Sequence, residues 1–162
     1  LDRVVRVGSF SKTLSAAVRC GFVAARPDWI ESLADLQLAT EFGSPALSAE
    51  LVLALLRDGS YRRHLELLRR RLAEAMAETA RRLRAIGIEP WLMPKAGMFL
   101  WCRLPDGQDA AAIARRCLEQ GVVLAPGNAF SATQSARSYL RFNVAQSGDP
   151  RLYPILARAL EP

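Results

Sequence analysis

Between the turn Asp58-Gly59-Ser60 and Gly87 the chain carries one continuous apolar stripe, in which Leu65, Leu68, Leu72, Ala75, Thr79, Leu83 and Ile86 recur at spacings of three and four. That period builds a long helix with a single buried face, and such a face requires a layer to pack against. Residues 88–92 and 98–104 follow as two strand-like runs separated by Pro94-Lys95-Ala96-Gly97, a break that pairs them antiparallel. The same stretch accounts for much of the net charge of +6. Arg69, Arg70, Arg71, Arg81, Arg82 and Arg84 lie off the stripe among Glu66, Glu74 and Glu78, with Glu66 facing Arg70 and Glu78 facing Arg82 at four residues' distance. This is the pattern of a solvated, salt-bridged helix face. No aromatic platform interleaves the arginines, so a nucleic-acid-binding surface is the weaker reading.

Elsewhere, residues 4–7 and 21–25 read as short buried strands. Pro27 and Asp28 start a helix whose apolar face (Trp29, Ile30, Leu33, Leu36, Leu38) runs to about Ala39. Gly43-Ser44-Pro45 breaks it, and residues 46–57 form another. Pro105-Asp106-Gly107 turns into a helix over 109–119 ended by Gly121; residues 122–124 and 139–144 read as strands; Asp149 caps a last helix that has Pro150 in its first turn and runs to Leu160. Helices over a small sheet make an α/β or α+β layer architecture.

With 51% hydrophobic and 23% charged residues in 162, the chain is globular. Cys20, Cys102 and Cys117 have no metal-ligand spacing and read as small core residues of a reducing cytoplasm. No apolar run approaches the roughly 18 residues of a membrane span. His64 is the single histidine, which leaves no histidine-based metal cluster, and its place beside Arg62-Arg63 fits solvent or an interface. Ser44 and Ser48 have no evident base partner. Tyr61 and Trp101 read as core or interface aromatics.

Lys12 and Lys95 are the only lysines among 22 basic residues. Lys12 sits in Gly8-Ser9-Phe10-Ser11-Lys12-Thr13-Leu14, beside hydroxyls and seven residues before Arg19. An amine can condense with an aldehyde, which a guanidinium cannot do, and hydroxyls with a fixed guanidinium suit a phosphate. Ser-Phe-Ser-Lys-Thr-Leu followed by Arg-Cys-Gly-Phe-Val-Ala resembles the lysine segment of fold-type I pyridoxal-phosphate enzymes, the aspartate aminotransferase superfamily. Tyr139-Leu140-Arg141-Phe142-Asn143 is similar to that family's carboxylate-binding strand. Gly59-Ser60-Tyr61-Arg62-Arg63-His64, Ala96-Gly97-Met98-Phe99-Leu100-Trp101 and the run from Val123 to Phe130 lie between them, in the order of the C-terminal part of MocR-type proteins. In those proteins an aminotransferase-like domain follows a GntR-type winged helix-turn-helix.

The resemblance implies pyridoxal 5'-phosphate as cofactor. Lys12 would form the Schiff base, Ser9 and Arg19 would hold the phosphate, and Ser11 would belong to the same cofactor-binding set. Arg141 would bind the α-carboxylate of an amino-acid substrate or effector, with Asn128 beside it. Ala16-Ala17 departs from relatives that carry a proline in this turn.

The resemblance further implies the C-terminal portion of the fold-type I transferase fold with its large domain incomplete. Residues 1–58 would be the tail of the cofactor domain with its connecting helices, and 59–162 the small domain. The upstream segments that grip the pyridine ring would be absent, so the fragment alone is expected to be inactive. Residues 40–45 would approach a partner subunit's cofactor phosphate, so a homodimer is expected. DNA contact would come only through an upstream domain. Two functions follow: the effector domain of a MocR/GntR-type cytoplasmic transcriptional regulator, sensing an amino acid or the cofactor by aldimine exchange, or part of a catalytic amino-acid aminotransferase. A third, an arginine-rich nucleic-acid module, uses none of the lysine-loop features.

Overall fold

The stripe that begins at Leu65 does form one long helix. In the computed structural model, which describes residues 2–41, 43 and 46–161, helix α3 spans Ser60–Arg84, with Thr79 and Leu83 buried and the other stripe residues half-buried. Met76 and Ala80 extend the buried face by one position on each turn. Asp58 prepares the helix start: its carboxylate accepts from the Ser60 amide at 2.7 Å and the Ser60 hydroxyl at 2.9 Å, and the amide bond in particular holds its carboxyl below the usual range.

The chain divides into two compact units, Leu1–Leu68 and Arg69–Pro162. In the first, strands β1 (Arg6–Ser9) and β2 (Gly21–Ala24) pair antiparallel, Arg6 opposite Ala24 and Ser9 opposite Gly21. Helices α1 (Pro27–Glu41) and α2 (Ala46–Arg57) follow. The strands are not buried as expected. Val7 is 74% exposed and Phe22 44%, because two strands have no sheet partners beyond each other among the described residues. The apolar face of α1 is likewise uncovered, with no buried residue in the helix. Ser44 and Pro45, expected to break the helices, lie outside the described residues; so does much of the 40–45 segment.

The second unit holds the core. Strands β3 (Glu89–Pro90), β4 (Phe99–Arg103), β5 (Ala125–Pro126) and β6 (Tyr139–Asn143) form an antiparallel sheet in the order β3-β4-β6-β5. Helices α4 (Ala110–Leu118) and α5 (Leu152–Leu160) pack on it. Strand alternation sends Leu100, Cys102, Leu140 and Phe142 inward, where they meet Leu83, Ile88, Ile113, Cys117 and Leu156. Asp109 caps α4, its carboxylate accepting from Ala111 N at 2.8 Å.

Two expected elements differ. Residues 122–124 form no strand, because the Val122 amide bonds the Cys117 carbonyl at 3.0 Å and so closes the end of α4; the sheet edge begins only at Ala125. Asp149 does not cap α5. It accepts from the Arg151 amide at 2.9 Å in a turn, and the helix opens two residues later on Arg151. Along α3, Glu78 bonds Arg81 and Arg82 as a fork, which holds its carboxyl down at about 2, the Arg81 hydrogen bond first. Glu66 pairs with Arg62 at 3.5 Å, not with Arg70.

Candidate cofactor-lysine and carboxylate sites

Lys12 occupies the connection between β1 and β2, and that connection is a built turn. The Phe10 carbonyl accepts from the amides of Thr13, Leu14 and Ser15 at 3.2, 2.7 and 3.2 Å, while Ser9 Oγ accepts from Ser11 N at 3.2 Å. Phe10 N donates to the Cys20 carbonyl at 3.0 Å, closing the hairpin below the turn. A short 3-10 turn at Ala16–Val18 follows, with Ser15 Oγ accepting from Ala17 N. The Ser15 cap fixes this stretch by a hydrogen bond, at the Ala16-Ala17 step where the sequence carries no proline. Arg19 then takes a left-handed backbone, φ 49° and ψ 35°, unusual for a residue with a Cβ and of the kind associated with functional turns. Gly21 is required beneath it, because a Cβ there would lie 2.8 Å from the Gly8 carbonyl oxygen.

One hairpin connection therefore gathers an amine, two hydroxyls and a guanidinium. Lys12, Ser9 and Arg19 are exposed and Ser11 half-buried. Lys12 makes no hydrogen bond or ion pair among the described residues, so its amine is uncommitted. Those donors fit a phosphorylated aldehyde in kind: nitrogen for the carbonyl carbon, hydroxyls and a guanidinium for the phosphate.

Arg141 lies in the second unit, on β6, opposite Trp101 of β4 and Ala125 of β5. Its guanidinium carbon sits 4.3 Å from the centre of the Phe99 ring and 3.9 Å from that of Phe130. Those rings come from β4 and from the 3-10 turn after β5, the neighbours on either side of β6. Arg141 forms no ion pair among the described residues. It lines a cavity of about 460 Å³ together with Phe99, Leu124, Asn143, Gln146 and Asp149. The Asp149 carboxyl is held down at about 2 by side-chain hydrogen bonds from Arg151, which occupy it. A confined guanidinium with its charge unpaired is the arrangement for an incoming carboxylate.

Asn128 sits in the turn that supplies Phe130. Its Oδ1 accepts from Ala136 N at 3.0 Å, and its carbonyl accepts from Ser131 N and Gln134 Nε2. Its side-chain oxygen thus closes the loop, leaving the amide N–H groups for any ligand. Gly127 is buried there, and a Cβ would lie 2.3 Å from the Ala136 carbonyl. Close backbone approach explains this glycine.

Sequence reasoning passed over Phe99 and Phe130 as partners of Arg141. Alternation on β4 and β6 places Phe99 and Trp101 on the face of Arg141 and Tyr139; Phe130 carries no local signal. It also passed over Tyr61 as a partner of the lysine turn, where its hydroxyl bonds Thr13 Oγ1 at 2.8 Å. Trp101 stacks on Tyr139 at 5.4 Å and 12°, and Trp91 covers the other end at 5.5 Å. Burial pushes the Cys102 thiol up to about 12 and raises Cys117 as well, so neither is a nucleophile. No cluster of potential metal ligands and no helix long and apolar enough to cross a membrane occurs among the described residues.

A lysine-bearing hairpin followed in sequence by a small antiparallel sheet with an arginine that makes no ion pair among the described residues corresponds to part of the fold-type I aminotransferase fold. The chain belongs to the aminotransferase class I and II family, whose model matches residues 2–160. It is 34% identical over 145 residues to a 2-aminoadipate transaminase of Thermus thermophilus, covering 88% of this chain and 36% of that protein. It is 28% identical over 144 residues to the uncharacterised HTH-type transcriptional regulator YdfD of Bacillus subtilis, covering 88% and 30%. The crystal structure of LysN, an α-aminoadipate aminotransferase from Thermus thermophilus complexed with N-(5'-phosphopyridoxyl)-L-leucine, superimposes with a TM-score of 0.85 at 32% identity, covering 97% of this chain and 41% of that one. The chain thus spans about a third of the length of these curated relatives, which include both transaminases and helix-turn-helix regulators.

Proposed function

We propose that this chain is the C-terminal part of a pyridoxal-phosphate-binding, amino-acid-recognising domain serving as the effector domain of a MocR/GntR-type transcriptional regulator. The observation that carries the binding function is the Lys12 amine, uncommitted among the described residues, in a hydrogen-bonded connection that also bears Ser9, Ser11 and Arg19. The HTH-type relatives support the regulatory role. A catalytic aminotransferase is the second reading, supported by the 34% identity to a transaminase.

Bound pyridoxal phosphate supplies an electron sink for bonds at the amino acid's α-carbon. The residues of this chain bind and orient. Lys12 would supply the nitrogen that holds the aldehyde carbon, and its Nζ would hold or release the proton that this attachment requires. Ser9, Ser11 and Arg19 would hold the phosphate, the hydroxyls by hydrogen bonds and the guanidinium by charge. Arg141 would take the α-carboxylate in a planar fork, and the amide of Asn128, in the turn that carries Phe130, would be a second donor. On this reading residues 1–58 belong to a larger cofactor domain and 59–162 to a smaller one. The intact protein acts in the cytoplasm as a homodimer, with DNA bound by a separate upstream domain.

Borohydride reduction of the cofactor-loaded intact protein followed by peptide mapping tests the assignment: the pyridoxyl adduct should sit on Lys12, and an adduct on Lys95 would refute it. Adding amino acids separates the two roles. A regulator changes its operator affinity with little turnover, whereas an enzyme converts the amino acid to its 2-oxo acid when an acceptor is present.

A further inference from the structure

Among the described residues, one side chain from outside the hairpin hydrogen-bonds the lysine turn. Every other hydrogen bond around residues 10–15 is local: the three amides on the Phe10 carbonyl, the Ser9 and Ser15 hydroxyls, and the Phe10–Cys20 closure all lie within the hairpin itself. Such bonds fix the curl of a turn but move with it. Among the described residues, the bond between Tyr61 Oη and Thr13 Oγ1, 2.8 Å and partly buried, is the one that ties this segment to a distant element, 48 residues on. The Tyr61 ring adds a second contact, meeting Phe10 edge-on with centroids 5.5 Å apart and planes at 71°. Phe10 in turn leans on Phe22 of β2 at 6.1 Å. Tyr61 thus grips the chain at Phe10 and at Thr13, two residues before Lys12 and one residue after it.

Lys12 has no hydrogen-bond partner of its own among the described residues and is exposed, so the direction of its amine is set by the backbone that carries it. We propose that Tyr61 is the positioning residue for Lys12, its hydroxyl acting through Thr13 and its ring through Phe10 to hold the turn in the orientation from which the amine reaches a bound aldehyde. This role rests on the reading of Lys12 as the aldehyde-binding residue. A flexible four-carbon side chain on a loose turn samples many directions, and each additional direction lowers the fraction of time the amine spends in reach. Bracing the two flanks raises that fraction without touching the amine.

Tyr61→Phe in the intact protein removes the hydroxyl and keeps the ring contact. In the cofactor-free protein, amide hydrogen exchange at Thr13, Leu14 and Ser15 should speed up about three- to tenfold, the loss expected for one partly buried hydrogen bond. Exchange at Leu140, in the central strand of the sheet, should not change. On adding pyridoxal phosphate, the rate of borohydride-trappable adduct formation on Lys12 should fall by a similar factor. Thr13→Val should reproduce both effects, Thr13→Ser should restore parent behaviour, and Tyr61→Phe with Thr13→Val should be no worse than either alone. Unchanged exchange and trapping in both single variants, with the parent trapped on Lys12, would overturn the role of Tyr61 alone. A parent trapped elsewhere would overturn the Lys12 assignment and this role with it, whatever the exchange data show.

Discussion

Truncating Arg141 gives the sharpest test of the carboxylate site. Its guanidinium is half-buried, lies within 4.3 Å of two ring centres and makes no ion pair among the described residues. A docking carboxylate would therefore complete its only strong charge interaction. Removing one partner of a buried, hydrogen-bonded charge pair costs about 2 to 5 kcal/mol. Partial exposure places Arg141→Ala at the low end, about 2 to 3 kcal/mol, or roughly 30- to 150-fold in dissociation constant. Arg141→Lys keeps the charge but loses the fork, and should fall between. Phe130 is 47% exposed, so Phe130→Leu removes a cation–π contact worth about 0.5 to 1 kcal/mol and should weaken binding about two- to fivefold. The assay is a titration of the cofactor-loaded intact protein with amino acids, followed by visible absorption. Cofactor binding itself should be unaffected. An Arg141→Ala protein that responds at the parent's amino-acid concentration would refute the argument, and the ordering Ala, Lys, Phe130→Leu, parent is itself a check on the geometry.

Arg19→Ala should weaken pyridoxal-phosphate affinity in equilibrium dialysis while sparing the carboxylate response of whatever cofactor remains bound. Gly127→Ala should destabilise the loop bearing Phe130 and Asn128 by about 1 to 3 kcal/mol in urea unfolding, because the new Cβ would meet the Ala136 and Tyr139 carbonyls at 2.3 and 2.9 Å. Leu140→Ala, fully buried in the central strand, should cost about 2 to 5 kcal/mol by the same measurement. Glu78 and Asp149, both lowered to about 2, and Asp58, lowered as well, contribute stability that is complete above their ordinary values of 4.5 and 3.8. That contribution is lost as pH falls toward about 2, so the urea midpoint should drop between pH 4.5 and 2, and Glu78→Gln should flatten part of that drop.

Elements whose signal is local were legible in the sequence: the span of α2, the stripe of α3, the helix over 109–119 and the strand over 139–144 all follow from spacing and turn chemistry. Failures came where a local rule met a competing bond. Val122 is apolar and lies in a run read as a strand, yet its amide is taken by α4; Asp149 has the chemistry of a cap, yet it serves a turn two residues early. The apolar faces of β1, β2 and α1 were seen, and the two strands were expected to be buried; a period reports that a face needs cover and says nothing of which segment supplies it. At the sites, Lys12 and Arg141 stood out by residue type and setting. Their supports did not, because Tyr61 and Phe130 reach them through tertiary contacts that no spacing encodes.

Strict alternation on β6 limits how this region can change over evolutionary time. Arg141 and Phe142 are adjacent and fall on opposite faces of the strand, Phe142 packed in the core and Arg141 against the Phe99 and Phe130 rings. An insertion or deletion of one residue that slid β6 against β4 would bury the guanidinium and expose the phenyl ring. Length variation between α4 and β6 must therefore be absorbed in the loop around residues 131–138, whose Ser131, Thr133 and Ser135 hydroxyls bond one another rather than the sheet. That loop can therefore change in length, while the strand itself can drift only by substitution.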